Sequence, residues 1–287
     1  MKNRREKMLD GLALSRLTGA EIGPLHNPLV SKAEGHVIYV DHLDTESLRK
    51  AWAQDKAVDV SKIHVDAVWG AQTFQEAIAA YARAAGEPSE SLALDYVVAS
   101  HVIEHVPDLV TWLQEIRSIL KPSGEVRLAV PDRRFTFDYL RRTSDLAHVL
   151  SAYLSRARVP SPQCILDFGL NMAAVDCAAA WRGEVDGAAL KRSYTFHDAM
   201  TFARDALEND TYHDVHCWVF TPASFASICV DLTRHGLLDF ACTTFHDTAF
   251  NEFEFFVSLR VCGDVAERIE SWQRMAAMAT AQATIPA

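Results

Sequence analysis

Segments with strand-like and helix-like hydrophobic patterns alternate along the first half of the chain, and together they predict a mixed α/β fold. Five short segments rich in β-branched and apolar residues are predicted as strands, and they are the segment ending in AEIG, then HVIYVD, KIHVDAV, LALDYVVAS and GEVRLAV. Helix-like segments separate them, as in the βαβ units that build a parallel sheet. The pattern therefore predicts a doubly wound α/β sheet.

Apolar residues at three- and four-residue spacing predict the helices. The clearest helix runs from about Pro107 to Leu120 and is ended by the sequence KPSG. DTESLRKAWAQ and FQEAIAAYARAAG, which ends at Gly86, are predicted as crossover helices. A short amphipathic helix that packs on the domain is predicted at the start of the chain from Leu9, Leu12, Leu14 and Leu17.

The pattern changes after Pro131. Ala-rich, Arg-rich and aromatic stretches without strand alternation predict an inserted helical cap over residues 132–217. The strand pattern resumes with a helix that begins after Thr221 and with two strand-like segments, LLDFACTTF and EFEFFVSLRV, joined by a short loop. We therefore expect one domain from residues 1–131 and 218–262, the cap between them, and a C-terminal helix or tail over residues 263–287.

Composition narrows the classes of function. Acidic residues outnumber basic ones by 38 to 28 and the formal net charge is −10, so a nucleic-acid partner is not expected. The six cysteines form no CxxC pair, which suits buried free thiols in a reducing compartment rather than a zinc cluster. The basic start is followed by no apolar run or cleavage site, and no apolar run reaches about 18 residues. We expect a cytoplasmic protein without membrane insertion.

Candidate ligand-binding residues follow the first three strands, because ligands of doubly wound sheets bind at the carboxyl ends of strands. Glu21 and Gly23 stand in EIGPLHNPL after the first strand, where the glycine permits a tight turn. Asp41, followed by His42, ends the second strand 18 positions after Gly23, a spacing that suits hydrogen bonds to ribose hydroxyls. Asp66 is a weaker candidate for adenine contact. Each segment is also compatible with an ordinary turn.

The stretch SHVIEHVPDLVTWLQEIRSILKPSGEVRLAVPD resembles the block from the fourth to the fifth strand of class I S-adenosylmethionine-dependent methyltransferases, in particular the type 11-like methyltransferase domain. The resemblance covers roughly residues 17–131 and 218–262. It implies a Rossmann-like sheet of about seven strands with a C-terminal antiparallel hairpin, S-adenosylmethionine as cofactor, and methyltransferase activity. It places Ser100 and His101 beside the reactive methyl group, with Glu104 and His105 on the following turn.

The same resemblance assigns Glu21 and Gly23 to the acidic-x-Gly motif of the first strand and Asp41 to the ribose contact. The chain departs from the family where the first motif has its second and third glycines, because Leu25 and Asn27 stand there. Pro24, with Pro28, stiffens this loop instead. The departure leaves open a binding or regulatory module without turnover.

A nicotinamide-dependent oxidoreductase is the other alternative, because such enzymes also use a glycine turn and a carboxylate on the second strand. EIGPLHNPL lacks the GxGxxG spacing that seats a pyrophosphate on a helix N-terminus. The sequence therefore favours the methyltransferase.

Four histidines are candidates for the base that takes the acceptor proton: His101, His105, His213 and His216. For any single one, a histidine that only hydrogen-bonds within its loop is the commoner situation. The HDVH sequence also has the spacing of a metal pair, and His246 with Asp247 could add ligands. Because the sequence fixes no third ligand, no metal site is predicted.

PDRR places Asp132, Arg133 and Arg134 where the fifth strand meets the cap, and the arginines there could clamp a carboxylate or phosphate of the acceptor. Arginines that merely cap a strand are an equal alternative. The expected reaction is O-methylation of a small molecule or a surface-glycan sugar, with a homodimer as a possible assembly.

Overall fold

A single seven-stranded sheet forms the centre of the protein in the computed structural model, which describes residues 2–86 and 93–279. The strands are β1 (Thr18–Ile22), β2 (His36–Asp41), β3 (Ala67–Val68), β4 (Leu94–Ser100), β5 (Leu120–Pro131), β6 (Phe240–His246) and β7 (Glu254–Val261). Their order is β3-β2-β1-β4-β5-β7-β6. The first five pair in parallel, whereas β7 runs antiparallel to β5 and β6. The predicted doubly wound Rossmann-like sheet with a C-terminal antiparallel hairpin is confirmed.

The helices of the described residues are α1 (Arg4–Leu9), α2 (Thr45–Ala51), α3 (Phe74–Ala85), α4 (Leu109–Ile119), α5 (Leu146–Ser155), α6 (Pro162–Asn171), α7 (Cys177–Trp181), α8 (Phe196–Asn209), α9 (Pro222–Arg234) and α10 (Val265–Met278). Capping boxes at Thr73 and Thr221 start α3 and α9. Gly86 ends α3 in the left-handed conformation, as the sequence predicts.

The opening helix is shorter than predicted. It ends at Leu9, and Gly11 follows with a φ of 77°, a backbone conformation that turns the chain away from the helix. The four leucines that predicted the helix still pack partly buried against one face of the sheet. The apolar pattern therefore identified the packing surface but not the helix bounds.

The two faces of the sheet are covered differently. One face carries the large core to which α3, α4, α9 and α10 contribute, with Trp112, Phe225 and Trp272 among its buried side chains. The other face packs against Met8 of α1 and against Leu29 and Val30, which lie between β1 and β2. The segment between these two strands contains no helix and covers the sheet as a loop.

Two predicted elements differ in detail. Only Ala67 and Val68 of KIHVDAV pair with β2, because a 3-10 helix over Val60–Lys62 occupies the segment just before. KPSG is not a separate turn between helix and strand. It lies within β5, which starts at Leu120 opposite Leu94. The pairing register then shifts before Tyr96 meets Glu125, which absorbs the extra residues as an irregularity in the strand.

The segment predicted as a cap holds α5 to α8. It leaves and rejoins the sheet at one place, where Asp132 bridges Phe220. Its helices α6 and α8 pack on a small core that includes Ile165, Phe168 and Ala203. After the last strand, α10 packs on α9 and β6, and residues 280–287 of the predicted C-terminal helix or tail lie outside the described residues.

The six cysteines, all within the described residues, are free. Among the helices of that same part of the chain, none is long and apolar enough to cross a membrane.

Candidate active site

The carboxylate of Glu21 holds the loop that follows β1. Its Oε1 accepts a hydrogen bond from the Leu29 amide at 2.7 Å, and its Oε2 accepts one from the Val30 amide at 2.9 Å. Burial raises the pKa of Glu21 to about 7, although these two hydrogen bonds and the charges of Arg4 and Arg5 oppose that rise. Glu21 therefore shapes the loop at the carboxyl end of β1, and its carboxylate is already engaged.

The loop after Gly23 has a left-handed backbone at two positions. Gly23 has a φ of 67°, and a Cβ there would lie 3.0 Å from Val102 Cγ2. Leu25 adopts a φ of 49° although it is not glycine, a conformation that costs about 1–2 kcal/mol in an L-residue. Pro24 is buried between them. The loop thus retains a turn that glycines usually permit, at the cost of strain at Leu25.

Asp41 and His42 lie at the carboxyl end of β2. Asp41 Oδ1 accepts hydrogen bonds from the His42 amide at 2.7 Å and from His42 Nδ1 at 2.8 Å. The hydrogen bond that the His42 ring donates to Asp41 raises the pKa of the ring. The ring centroid of Tyr212 lies 5.8 Å from that of His42, so the end of the cap covers this corner.

Asp66 lies away from that edge. It precedes the two-residue β3, and its Oδ2 accepts a hydrogen bond from the amide of Tyr39, two residues before the end of β2. Lys32 Nζ at 2.5 Å and His64 Nε2 at 2.9 Å contact its other oxygen. Asp66 therefore lies just before β3, whereas the sequence placed it near the end of a longer strand, and its contact with adenine stays a prediction.

Ser100 ends β4 and His101 follows it, and both contact charged groups that the sequence did not suggest. His101 has a φ of 53°, and its Nε2 lies 2.8 Å from Glu254 Oε2 of β7. Arg4 of α1 donates hydrogen bonds to Ser100 Oγ and, from Nε at 2.7 Å, to Glu254. No sequence signal links positions so far apart.

A second group of residues forms a cluster directly after β4. Glu104 is fully buried, its Oε1 lies 4.0 Å from His216 Nε2, and neither of its carboxylate oxygens accepts a hydrogen bond within the described residues. The rings of His105 and His216 meet edge to face with centroids 4.7 Å apart. Burial lowers the pKa of His105, but the hydrogen bond with Asp214 and the charge of Glu104 outweigh it, and the pKa is raised.

His213 lies apart from this cluster. Its Nε2 lies 2.8 Å from Asp205 Oδ2 of α8, whereas His216 Nδ1 lies 2.6 Å from Asp138 Oδ2. The two histidines of HDVH therefore point to different partners.

His246 has its pKa lowered mainly by burial and by the charges of Lys2 and Lys7 at the start of the chain.

His213 lines a cavity of about 180 Å³ between helices of the cap. The lining residues are Ile165, Phe168, Gly169, Tyr194, Phe202, His213, Asp214 and Val215. Asp214 also contacts the loop after β4, since its Oδ1 lies 2.7 Å from His105 Nδ1. Asp214 therefore links the cavity wall to the loop at the carboxyl end of β4.

The predicted acceptor clamp is engaged within the protein. Asp132, fully buried, receives hydrogen bonds from Arg134 Nε and Nη2, at 3.0 and 2.6 Å, and from Thr248. Arg133 donates to the backbone oxygen of Tyr139 at 2.8 Å, and burial lowers its pKa. These residues anchor the junction between β5 and the cap rather than face the cavity.

The structure thus brings Gly23, Asp41, Ser100 and His101 to one edge and places His105 and His216 beside it. Glu104, which the sequence had placed only on the turn, becomes the centre of a cluster. In HVIEH it follows two apolar residues, Val102 and Ile103, and this is the local signal of its burial.

Comparison with known proteins agrees with this architecture. A family profile described as a methyltransferase domain matches residues 33–231, well over half of the 287-residue chain. No curated protein matches the sequence.

Several solved structures are similar in fold. One from Rhodobacter sphaeroides, described provisionally as a zinc-dependent alcohol dehydrogenase, is 13% identical with a TM-score of 0.45 and 91% coverage of both chains. The CcbJ methyltransferase from Streptomyces caelestis is 7% identical, with a TM-score of 0.44 and coverage of 91% of this chain and 97% of its own. A SAM-dependent methyltransferase from Aquifex aeolicus is 10% identical, with a TM-score of 0.40 and coverage of 91% and 94%.

Proposed function

This chain belongs to the methyltransferase-domain family, and we propose that it methylates a hydroxyl oxygen of a small-molecule or sugar acceptor held under the cap. Its domain is a class I methyltransferase domain, and S-adenosylmethionine is the cofactor. The nature of the acceptor and the choice of oxygen as the methylated atom are the proposed parts.

The residues at the carboxyl edge fit the cofactor. Gly23 is exposed at the turn after β1 and lets a ligand approach the backbone, while Asp41 provides a carboxylate for hydroxyl groups at the end of β2. Ser100 ends the adjacent β4 and His101 follows it, and both border the same edge. When bound, S-adenosylmethionine supplies an activated methyl group on a positively charged sulfur.

The cavity supports a small acceptor. At about 180 Å³ it is much larger than the roughly 10–15 Å³ that one water molecule needs, and it is on the scale of one sugar ring or a comparable alcohol. Phe168, Tyr194 and Phe202 offer aromatic faces on which such a ring can stack, and Asp214 offers an acceptor for its hydroxyl groups.

One observation carries the choice of a hydroxyl acceptor: His213 lines the cavity and is held by a carboxylate. Asp205 Oδ2, at 2.8 Å, accepts a hydrogen bond from Nε2–H, which fixes the ring and leaves Nδ1 as the basic nitrogen. An alcohol must lose its proton as the new bond to carbon forms, and a positioned imidazole can take it. We assign this proton to His213, while the surrounding cap excludes water from the reaction.

The test separates cofactor binding from turnover. The chain is titrated calorimetrically with S-adenosylhomocysteine and with NAD, and a panel of sugars, alcohols, amines and thiols is then assayed for methylation. In His213→Gln we expect turnover to fall about 10²- to 10⁴-fold while affinity for S-adenosylhomocysteine stays within a few fold. His197→Ala, which changes an exposed histidine of α8, is the matched control and should behave as the wild type.

Normal turnover in His213→Gln would remove His213 as the base. Methylation of amines or thiols but of no hydroxyl compound would contradict the proposed acceptor class. If NAD binds and S-adenosylhomocysteine does not, the oxidoreductase alternative applies, and if S-adenosylhomocysteine binds while every acceptor fails, a binding module without turnover is favoured.

A further inference from the structure

The carboxylate of Glu104 is fully buried without a hydrogen bond to either oxygen among the described residues. A buried carboxylate without partners is costly, and buried charges in proteins are generally paired or coordinate metal ions. The nearest basic groups are His101 Nδ1 at 3.5 Å and His216 Nε2 at 4.0 Å from Oε1. His101 is already engaged through Nε2 by Glu254 at 2.8 Å.

His105 and His216 both lie close to the Glu104 carboxylate, and the Nδ1 atom of each lies close to a further carboxylate. His216 Nδ1 lies 2.6 Å from Asp138 Oδ2, and His105 Nδ1 lies 2.7 Å from Asp214 Oδ1. A carboxylate at one ring nitrogen orients the imidazole and makes the other nitrogen a better metal ligand, which is the usual surrounding of metal-binding histidines. In His216 the nitrogen that remains is Nε2, the atom that lies 4.0 Å from Glu104 Oε1.

The three side chains are close enough to share one ion. One potential ligand atom from each of Glu104, His105 and His216 lies within 4.8 Å of the others. With metal–ligand bonds of about 2.0–2.2 Å, two ligands of one ion lie roughly 3–4 Å apart, so small side-chain rotations would complete the geometry.

The backbone holds the two ligand-bearing segments together. The backbone oxygen of Glu104 accepts hydrogen bonds from the amides of Cys217 at 2.7 Å and Trp218 at 3.1 Å. Trp218 Nε1 donates to the oxygen of Val106 at 2.6 Å. These hydrogen bonds therefore hold the backbone that carries His216 beside the backbone that carries Glu104 and His105.

From this geometry we propose that Glu104, His105 and His216 bind a divalent transition-metal ion of the zinc class. Two imidazole nitrogens and one carboxylate oxygen suit zinc, cobalt and related ions better than magnesium or calcium, which prefer oxygen ligands. Three protein ligands leave a coordination position for water or for an oxygen atom of a bound molecule. The sequence missed this site because it paired His216 with His213, whose ring is turned to Asp205 instead.

The test measures metal binding directly, without an acceptor or cofactor. Tag-free protein is stripped with a chelator and titrated with cobalt, followed by visible absorption, and with zinc, followed by calorimetry. We expect one ion per chain and a cobalt d–d band without a thiolate charge-transfer band. In Glu104→Gln, which keeps the size of the side chain, affinity should fall at least about 100-fold.

Three further variants make the result specific. His216→Gln should lose binding as Glu104→Gln does, whereas His197→Ala controls for exposed histidines and should bind normally. Cys164→Ser removes a second cluster of soft donors, in which Cys164 Sγ lies 3.2 Å from His148 Nε2, and should also leave cobalt binding unchanged. Near-ultraviolet circular dichroism checks that each variant is folded.

The proposal is overturned if the wild type binds neither ion with a dissociation constant below about 100 µM, or if Glu104→Gln binds as tightly as the wild type. A thiolate charge-transfer band that disappears in Cys164→Ser would place the ion at the cysteine cluster instead and also overturn it. His213→Gln should retain full metal affinity, so failure of the proposed base and failure of the metal site are distinguishable.

Discussion

Asp138 Oδ2 lies 2.6 Å from Nδ1 of His216, and both side chains are buried. The same carboxylate receives Nη1 of the buried Arg141 at 2.8 Å, and Arg141 Nη2 donates to the backbone oxygen of His216 at 2.9 Å. The three residues form a closed unit in which one carboxylate orients an imidazole and neutralises a guanidinium. This unit connects the start of the cap to its end.

The unit predicts a large loss of stability in Asp138→Asn. The substitution leaves the charge of Arg141 buried with a weaker partner, and breaking a buried ion pair costs about 3–5 kcal/mol. The matched control is Asp167→Asn, because Asp167 contacts Arg141 at 2.7 Å from a position 38% exposed and should contribute about 1 kcal/mol or less. Urea denaturation measures both, and equal losses in the two variants would contradict the central role of Asp138.

The raised pKa of Glu21 predicts that the free energy of unfolding depends on pH. Its pKa in the folded protein, about 7, lies above the ordinary value of 4.5, so the native state binds the proton more tightly than the unfolded chain. The stability that this proton contributes is present below about pH 4.5 and is lost as the pH rises toward 7, with a slope of at most about 1.4 kcal/mol per pH unit.

The measurement is the unfolding free energy between pH 5 and 8 in the wild type and in Glu21→Gln. The variant is expected to be less stable throughout, because glutamine offers one acceptor where Leu29 and Val30 need two, but it should lack this part of the slope. The same slope in both proteins would show that Glu21 does not titrate in this range.

The sheet could be predicted from the sequence because each strand carries its own apolar pattern and each parallel strand needs a crossover. The same reasoning overestimated β3, since KIHVDAV has strand-like composition throughout but only its last two residues form a strand, and a 3-10 helix ends at its first residue, Lys62. That error moved Asp66 toward the edge of the sheet. Strand composition is a local property, whereas the length of a strand depends on how far its neighbour extends.

The candidate site was harder to predict because its important contacts join distant parts of the chain. His101 and Glu254 come from β4 and β7, and His216 and Asp138 come from the two ends of the cap. Residue type alone could identify the histidines as candidates. It could not indicate that His213 faces a cavity while His216 faces Glu104, because those orientations follow from tertiary packing.

Asp41 is expected to contribute directly to cofactor affinity. Asp41→Ala should weaken binding of S-adenosylhomocysteine by about 1.5–3 kcal/mol, the range for a lost hydrogen bond to a charged group, without changing the fold. Asp66→Asn is the control, since this carboxylate contacts Tyr39, Lys32 and His64 away from the edge. Calorimetric titration of both variants measures the difference, and unchanged affinity in Asp41→Ala would exclude Asp41 from the site.

Leu25 predicts an unusual response to substitution in the loop after β1. Glycine adopts a φ of 49° without strain. In Leu25→Gly, the relief of about 1 kcal/mol of strain should therefore offset the loss of the half-buried side chain and the greater conformational entropy of the unfolded chain. Leu25→Val retains an apolar side chain but adds β-branching, and should destabilise the protein by at least about 1 kcal/mol. Thermal unfolding of both variants ranks them, and a valine variant more stable than the glycine variant would show that Leu25 is not strained.

Tyr212 is expected to hold the end of the cap over the cofactor edge. Its ring packs on His42 with centroids 5.8 Å apart, and its hydroxyl lies 3.5 Å from the backbone oxygen of His105, so it touches the loops after both β2 and β4. Loss of an aromatic contact of this kind costs about 0.5–1.5 kcal/mol. In Tyr212→Ala we therefore expect S-adenosylhomocysteine to bind about 2- to 12-fold more weakly, mainly through faster dissociation, because the covering segment opens more easily.

Leu207→Ala is the control, as Leu207 lies on the preceding helix α8 with 70% of its surface exposed. Stopped-flow displacement of the bound ligand gives both dissociation rates, and if Tyr212→Ala releases the ligand no faster than Leu207→Ala, the end of the cap does not cover the cofactor.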